Sequence, residues 1–139
     1  MNDTEITEQQ KQRAADALHK LPFSQMIGMK LVDIRRDEAV ISIDMRDELR
    51  QPQGLLHGGV TATLIDTAMA FAVITRLAPD EKASTIDLTV HYLRPHTEGT
   101  FTCSAKLVRA GKRIFTVSAD VANEAGKLIA TAIATYTKV

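Results

Sequence analysis

Two periods govern the order of apolar and polar residues along this chain, and the points where one gives way to the other outline the fold. In Met29–Arg35 and Ala39–Met45 the period is two: Ile41, Ile43 and Met45 fall on one side, Ser42 and Asp44 on the other. The charged turn Arg36-Asp37-Glu38 lies between the two runs, so they predict a β-hairpin. Alternation returns later, with Phe101, Cys103, Ala105 and Leu107 set against Thr102, Ser104 and Lys106. Ala110-Gly111-Lys112 turns the chain, and Phe115, Val117, Ala119 and Val121 repeat the pattern. A second turn at Asn123–Gly126 leads to a last strand over Leu128–Tyr136, and Thr85–Leu93 precedes them all. Four strands at such short spacing predict an antiparallel sheet rather than a βαβ arrangement.

Helical signals occupy the two remaining stretches. The run TEQQKQRAADALHKL, Thr7 to Leu21, is rich in helix formers, carries Thr7 and Gln10 at capping-box spacing and ends before Pro22; it reads as an amphipathic leading helix. Gly59–Leu77, GVTATLIDTAMAFAVITRL, has helical length and composition but apolar residues on every face. A helix of that kind must be wrapped on nearly all sides. A curled antiparallel sheet can do this, and the order hairpin, buried helix, four strands predicts an α+β domain with six strands around one long central helix. No repeat, low-complexity tract or Pro/Ser/Gly linker interrupts it. The expected organisation is an N-terminal helix over 1–22 and one folded unit over 23–139.

Composition narrows the function. At 139 residues and 45% apolar content the chain suits a single domain, which should bury roughly 70% of its extended surface. Seventeen Lys and Arg balance seventeen Asp and Glu, and six residues are aromatic. Neither the charge surplus nor the stacking surface of a nucleic-acid binder is present. The longest uncharged stretch, Gln51 to Ile65, is too short for a bilayer, and MNDTEITEQQKQ is unlike a signal peptide. The expectation is a cytoplasmic protein without membrane insertion. Cys103, the single cysteine, forbids an internal disulfide and reads as a small buried strand residue.

Asp66 is the one carboxylate of the apolar helix, with no further charge before Arg76. Burying an ionised group without partners costs several kcal/mol, so Asp66 must be paired, protonated or used. Immediately upstream, the loop Gln51-Pro52-Gln53-Gly54-Leu55-Leu56-His57-Gly58-Gly59 feeds the helix start. Two glycines there leave the first free backbone N–H groups unscreened, which predicts an anion-binding nest able to hold a carbonyl oxygen as it becomes an oxyanion. One such donor is worth roughly 100- to 1000-fold in rate. Gly58 and Asp66 stand eight residues apart, about 12 Å along a helix axis. One protomer therefore offers two half-sites that dimerisation could join.

Other constellations point away from chemistry. His91 and His96 lack metal-ligand spacing, and neither a Cys/His cluster nor an HExxH occurs, so no metal is expected. The serines have no G-x-S-x-G elbow, and the absence of GxGxxG and P-loop patterns argues against dinucleotide or ATP cofactors. Arg109, Lys112 and Arg113 cluster at a turn, where they form either a solvated hairpin tip or a phosphate contact. Met26, Met29, Met69 and Phe71 are candidates for an apolar pocket or for plain core.

Taken together, Gln51…Gly54…His57-Gly58-Gly59…Asp66, STIDLTVHYLRP (Ser84–Pro95) and VRAGKRIF (Val108–Phe115) resemble the hotdog-fold acyl-CoA thioesterases of the phenylacetate-pathway and thioesterase-superfamily type, over roughly Pro22 to Val139. The resemblance implies a hotdog fold, edge-to-edge pairing through the strand near Ser84–Leu93, a homodimer and often a homotetramer, with the active site at the seam. By matching positions it implies Gly58 as the backbone donor to the thioester carbonyl with His57 beside it, and Gln51 as the amide near thioester and water. Asp66 of the opposite protomer matches the catalytic carboxylate, and Thr85, or Ser84, the hydroxyl that positions water. Ala70 stands where another branch of the family carries a Thr, which excludes that branch's arrangement. The implied reaction is hydrolysis of an aryl- or fatty acyl-CoA to the acid and coenzyme A. No cofactor is expected, since coenzyme A is part of the substrate. Asp66 acts as general base or as nucleophile. Gly59, Ser84, Arg94, Arg109, Lys112 and Arg113 are the implied substrate and coenzyme A contacts. A non-catalytic acyl-CoA sensor on the same fold is the alternative. A hydratase is disfavoured because no aspartate has a histidine five residues on.

Overall fold

The computed structural model describes residues 5–139; the first four residues of the expected N-terminal segment lie outside them. Helix α1 spans Glu8–Lys20 and opens on the expected capping box, with Thr7 accepting from the Gln10 amide and Gln10 answering at the Thr7 amide. Ala14 and Leu18 are its buried face. Pro22 does not end the helical region. It starts a second short helix, α2 (Pro22–Ile27), because its fixed φ and missing N–H suit a first helical position. The sequence reading missed that helix.

Strands β1 (Lys30–Arg35) and β2 (Glu38–Asp44) form the expected hairpin. A 3-10 turn at Asp47–Leu49 and the loop after it lead to helix α3, Gly58–Ile74. The helix begins one residue earlier and stops three residues sooner than its apolar run suggests. Thr75 closes it: its hydroxyl donates to the Ala72 carbonyl (2.7 Å) and accepts from the Asp37 amide (2.9 Å). Asp37, in the left-handed region at φ 71°, also takes Arg76 in a bidentate ion pair of 2.5 and 2.7 Å. The end of α3 is thereby tied to the β1–β2 turn.

Strands β3 (Ala83–Tyr92), β4 (Thr100–Ala110), β5 (Ile114–Asn123) and β6 (Leu128–Lys138) complete one antiparallel sheet in the order β1-β2-β4-β5-β6-β3. The fold is the expected hotdog arrangement, six strands around one long helix with an extra N-terminal helix. All six strands pack against α3. The inward positions Ile41, Ile43, Phe101, Cys103, Val117 and Val121 are fully buried, so the period-two pattern reports the core face directly. Cys103 belongs to that core, and burial pushes its thiol up to about 12.

Wrapping is less complete than the all-round apolar character of α3 implies. Thr61, Leu64, Ile65, Ala68, Met69, Phe71, Ala72 and Val73 are buried. A stripe through Thr63, Asp66, Thr67 and Ala70 stays half-buried, and Ile74 is 46% exposed. One side of the helix is therefore open, and Asp66 lies on it. Beside this stripe runs β3, an edge strand whose outer hydrogen-bonding groups face no other strand, with Ile86 at 55% and Tyr92 at 55% exposure.

Candidate active site

The loop before α3 is built by Arg50. Its guanidinium donates to the Gly54 carbonyl (2.8 Å), the Thr97 carbonyl (2.7 Å) and the Glu98 carboxylate (2.8 Å), stapling residues 50–56 to the segment after β3. Gly54 sits at φ +85°, a conformation L side chains rarely adopt. His57 caps the helix: its Nδ1 accepts from the Gly59 amide at 2.8 Å. This corrects the two-glycine nest, because the Gly59 N–H is already spent on His57. The Gly58 N–H makes no hydrogen bond to any described residue, and it alone remains to receive an incoming oxygen.

Tyr92, at the end of β3, fixes Gly58 from the other side. Its hydroxyl donates to the Gly58 carbonyl at 2.7 Å, and a Cβ on Gly58 would meet the ring at 3.2 Å. A side chain at 58 would therefore have to push the Tyr92 ring aside by a few tenths of an ångström. A cavity of about 320 Å3 opens here, lined by Gln51, Gly58, Thr61, Tyr92, Arg94 and His96 among others. Gln51 reaches this cavity, but its amide is turned into its own loop, accepting from the Gln53 amide and donating to Gln53 Oε1 at 3.2 Å. His96 is buried, with Nε2 donating to the Gly99 carbonyl at 3.0 Å and its ring edge-on to Phe101; it is a structural residue.

Two turns further along α3, the Asp66 carboxylate accepts from two hydroxyls. Thr85 Oγ1 donates at 2.8 Å, and the Tyr136 hydroxyl donates both to the carboxylate and, at 2.7 Å, to the Asp66 carbonyl. Tyr136 is 2% exposed. Burial, and then its bond to Asp66, raise the Tyr136 pKa above its ordinary value, so the phenol stays a donor throughout the physiological range. Asp66 is consequently paired with neutral donors while retaining an exposed edge, which leaves it able to accept a proton from a third partner.

Thr85 rather than Ser84 reaches Asp66 because of a register shift between Thr85 and Asp87. Thr85 lies opposite Tyr136, whereas Leu88, Val90 and Tyr92 lie opposite the buried Ala134, Ala132 and Ala130. Partners across an antiparallel pair share a face, so the bulge at Ile86 moves the inward face from even to odd residues. Ser84 pairs with Thr137 through the β3–β6 ladder, and its side chain is exposed and makes no hydrogen bond among the described residues.

The remaining candidates scatter. Arg94 joins Gln51 and Gly58 around the cavity. Arg109, Lys112 and Arg113 are exposed at the β4–β5 turn, and the Arg113 carbonyl accepts from the Lys138 amide, placing that turn at the opposite end of the sheet, by the start of β3. Met69 and Met29 are core and Met26 is 61% exposed. Phe71 lines a groove beneath α1. Sequence reasoning passed over Tyr136, Tyr92 and Arg50. A signal for Tyr136 was present: Ala130, Ala132 and Ala134 place small residues on the inner face, and a tyrosine next in that series needs a buried partner for its hydroxyl.

Among the described residues no His, Cys, Asp and Glu cluster could hold a metal ion, and no helix is long and apolar enough to cross a membrane. Asp66 does not line the Gly58 cavity.

Comparison with known proteins identifies the family. The chain is 31% identical over 134 residues, 86% of each sequence, to the medium/long-chain acyl-CoA thioesterase YigI of Escherichia coli. It is 25% identical over 107 residues to the 1,4-dihydroxy-2-naphthoyl-CoA hydrolase of Listeria monocytogenes, covering 77% of this chain and 87% of that one. A crystal structure of a variant of the phenylacetic acid degradation protein PaaI from Thermus thermophilus superposes with a TM-score of 0.79 at 29% identity, covering 86% of this chain and 100% of the other. Residues 53–130, which hold Gly58, Asp66 and Thr85, match the family model of the thioesterase superfamily, and the chain belongs to that superfamily.

Proposed function

We propose that this protein hydrolyses acyl-CoA thioesters to a free acid and coenzyme A at a site shared between two copies of the chain. The observation that carries the proposal is Asp66, a lone carboxylate on the open stripe of an apolar helix, held by Thr85 and Tyr136 with one edge free. Pairing of β3 with its own two-fold copy accounts for the missing half. Within one protomer, the β3 end at Thr85 touches Asp66 and the end at Tyr92 touches Gly58. An antiparallel β3–β3 pair centred on Thr89, with the bulge at Ile86 taking up one residue, sets Thr85 of one copy opposite Tyr92 of the other, bringing Asp66 to the partner's Gly58. The exposed Ile86 and Tyr92 would be covered by that pairing.

In this arrangement the Gly58 N–H, at the positive end of α3, takes the thioester carbonyl oxygen and stabilises the charge that develops on it. Asp66 of the partner subunit takes a proton from water as it attacks the carbonyl carbon, and Thr85 holds the carboxylate and the water in line. The coenzyme A thiolate leaves, taking up the proton. His57 contributes as the cap that fixes Gly58 and Gly59, and Gln51 and Arg94 line the approach. A dimer meets the needs of the site, and a tetramer of two such dimers is the expected assembly. The β4–β5 basic turn, Arg109, Lys112 and Arg113, is the candidate contact for the coenzyme A phosphates from the partner's end of the seam.

Asp66→Asn tests the reading by thiol release from aryl- and fatty acyl-CoAs. Loss of a general base lowers kcat/KM by about 10²- to 10⁴-fold. Turnover at the unmodified rate removes the proposal, and tight acyl-CoA binding without hydrolysis by the unmodified protein would favour a sensor.

A further inference from the structure

Beyond Asp66, away from Gly58, two apolar hollows follow one another along α3. The nearer, about 320 Å3, is walled by Ala70, Ile74, Leu77 and Ala83 with Tyr136 at its back. Ala70 lies one helical turn past Asp66, and Tyr136 is the residue bonded to that carboxylate, so this hollow adjoins the proposed general base. The farther, also about 320 Å3, lies between α1 and the end of α3, with Ala14, Ala17, Ile34 and Phe71 in its wall. Ile74, Leu77 and Glu81 border both hollows. Each is within the size range of small-ligand sites.

Charge separates this region from the Gly58 cavity. Arg94 is the charged side chain that lines the Gly58 cavity, which suits a phosphate-bearing group. At the hollows, Glu81 is neutralised by Lys138 (2.8 Å) and by the Ala78 amide (2.8 Å), Lys82 borders the nearer one, and Arg13 borders the farther. The walls between these charges are mostly apolar, with Phe71 the aromatic member of the farther one. Resting on the thioesterase reading above, we propose that the two hollows form one channel for the acyl chain of the substrate, with Ile74 as the partition between medium and long chains and α1 as the outer wall. Asp66 to Ile74 is eight residues, about 12 Å of helix. A zigzag of ~1.5 Å bonds at ~111° advances about 1.25 Å per bond, so about ten bonds reach the partition. Longer chains pass Ile74 and settle against Phe71 and Ala17, beneath α1.

The test measures kcat/KM for straight-chain acyl-CoAs from butyryl to palmitoyl with the full chain, with Ile74→Trp and with Ala17→Trp; free fatty acid binding by calorimetry is measured in parallel. Each methylene that enters the channel raises kcat/KM up to about fourfold, from about 0.8 kcal/mol per buried methylene. Ile74→Trp ends that rise near decanoyl and lowers the palmitoyl-to-octanoyl ratio at least tenfold, while Ala17→Trp ends it at a longer chain. Ile74 is 46% exposed, so the larger side chain leaves folding intact. Parallel profiles in all three proteins overturn the channel, as do two variants that cut at the same length. A change in light-scattering mass with an unaltered chain-length profile overturns it too, by assigning the groove to a contact between copies. If the unmodified protein hydrolyses no acyl-CoA, the thioesterase reading fails by itself. The channel then stands or falls on whether fatty acid affinity grows with chain length and is lost in Ile74→Trp.

Discussion

Tyr136→Phe removes a single hydroxyl from beneath α3, and its consequences follow from where that hydroxyl points. It donates to the Asp66 carboxylate and to the Asp66 carbonyl from a side chain 2% exposed. A hydrogen bond to a charged acceptor is worth about 1.5–3 kcal/mol. The loss is softened because Asp66 keeps Thr85 and an exposed edge that water can reach, which sets the expected destabilisation at about 1–2 kcal/mol. For a chain of this length that is a fall in Tm of roughly 3–10 °C. Urea denaturation of Tyr136→Phe, Asp66→Asn and the double variant isolates the pair, with an expected coupling of about 1 kcal/mol or more. The matching cycle with Thr85→Val should give less, since Thr85 is exposed and water replaces it. In the thiol-release assay Tyr136→Phe lowers kcat about 10- to 100-fold with KM little changed, because it loosens the carboxylate without touching the substrate. A coupling below about 0.5 kcal/mol, or a larger coupling for Thr85 than for Tyr136, refutes the assignment of Tyr136 as the group that orients Asp66.

Gly58→Ala places a Cβ 3.2 Å from the Tyr92 ring and displaces the hydroxyl that holds the Gly58 carbonyl. Activity should fall at least about tenfold while Tm moves little, as helix propensity gained offsets an exposed hydrogen bond lost; full activity would show that this approach is not critical. Ile86→Lys puts a charge on the exposed edge of β3. Light scattering should then show monomers, with hydrolysis lost in step although Asp66 and Gly58 are both intact, and an active monomer would contradict the shared site. Asp37→Asn tests the clasp at the end of α3. The Arg76 hydrogen bond holds the Asp37 carboxyl below its ordinary value. With its native pKa depressed, Asp37 contributes stability that is whole above the usual carboxylate range and disappears as pH falls through the lowered native value. The variant should therefore be less stable by up to about 1 kcal/mol at neutral pH, and the gap should close in acid; a constant gap across pH would rule out the ion pair as its cause.

The sequence by itself determined the six strands, the two longer helices and the inward faces of β2, β4 and β5. Ile41, Ile43, Phe101, Cys103, Val117 and Val121 declare an inward face because side chains on a strand alternate between two sides, a local property of the backbone. Asp66 stood out because a carboxylate in an apolar helix is costly wherever that helix lies, and the capping box at Thr7 needed only three residues of spacing. Tertiary structure decided everything that depends on two distant segments meeting. Whether Thr85 or Ser84 faces Asp66 rests on one bulged residue in β3, paired with a strand some fifty residues later in the chain. A shift of one residue moves a side chain to the other face of a sheet, and no local pattern records it. The same holds for Tyr136 beneath Asp66, for Tyr92 against Gly58, and for Arg50 stapling its loop to Thr97 and Glu98. His57 looked like a catalytic neighbour, yet the folded helix start makes it the cap that consumes the Gly59 amide and leaves one free donor instead of two. Alternation along a regular strand fixes which of its faces is buried, because that pattern is local to the strand. The chemistry of the site is set by hydrogen bonds across elements, and those exist only once the register between distant strands has been chosen.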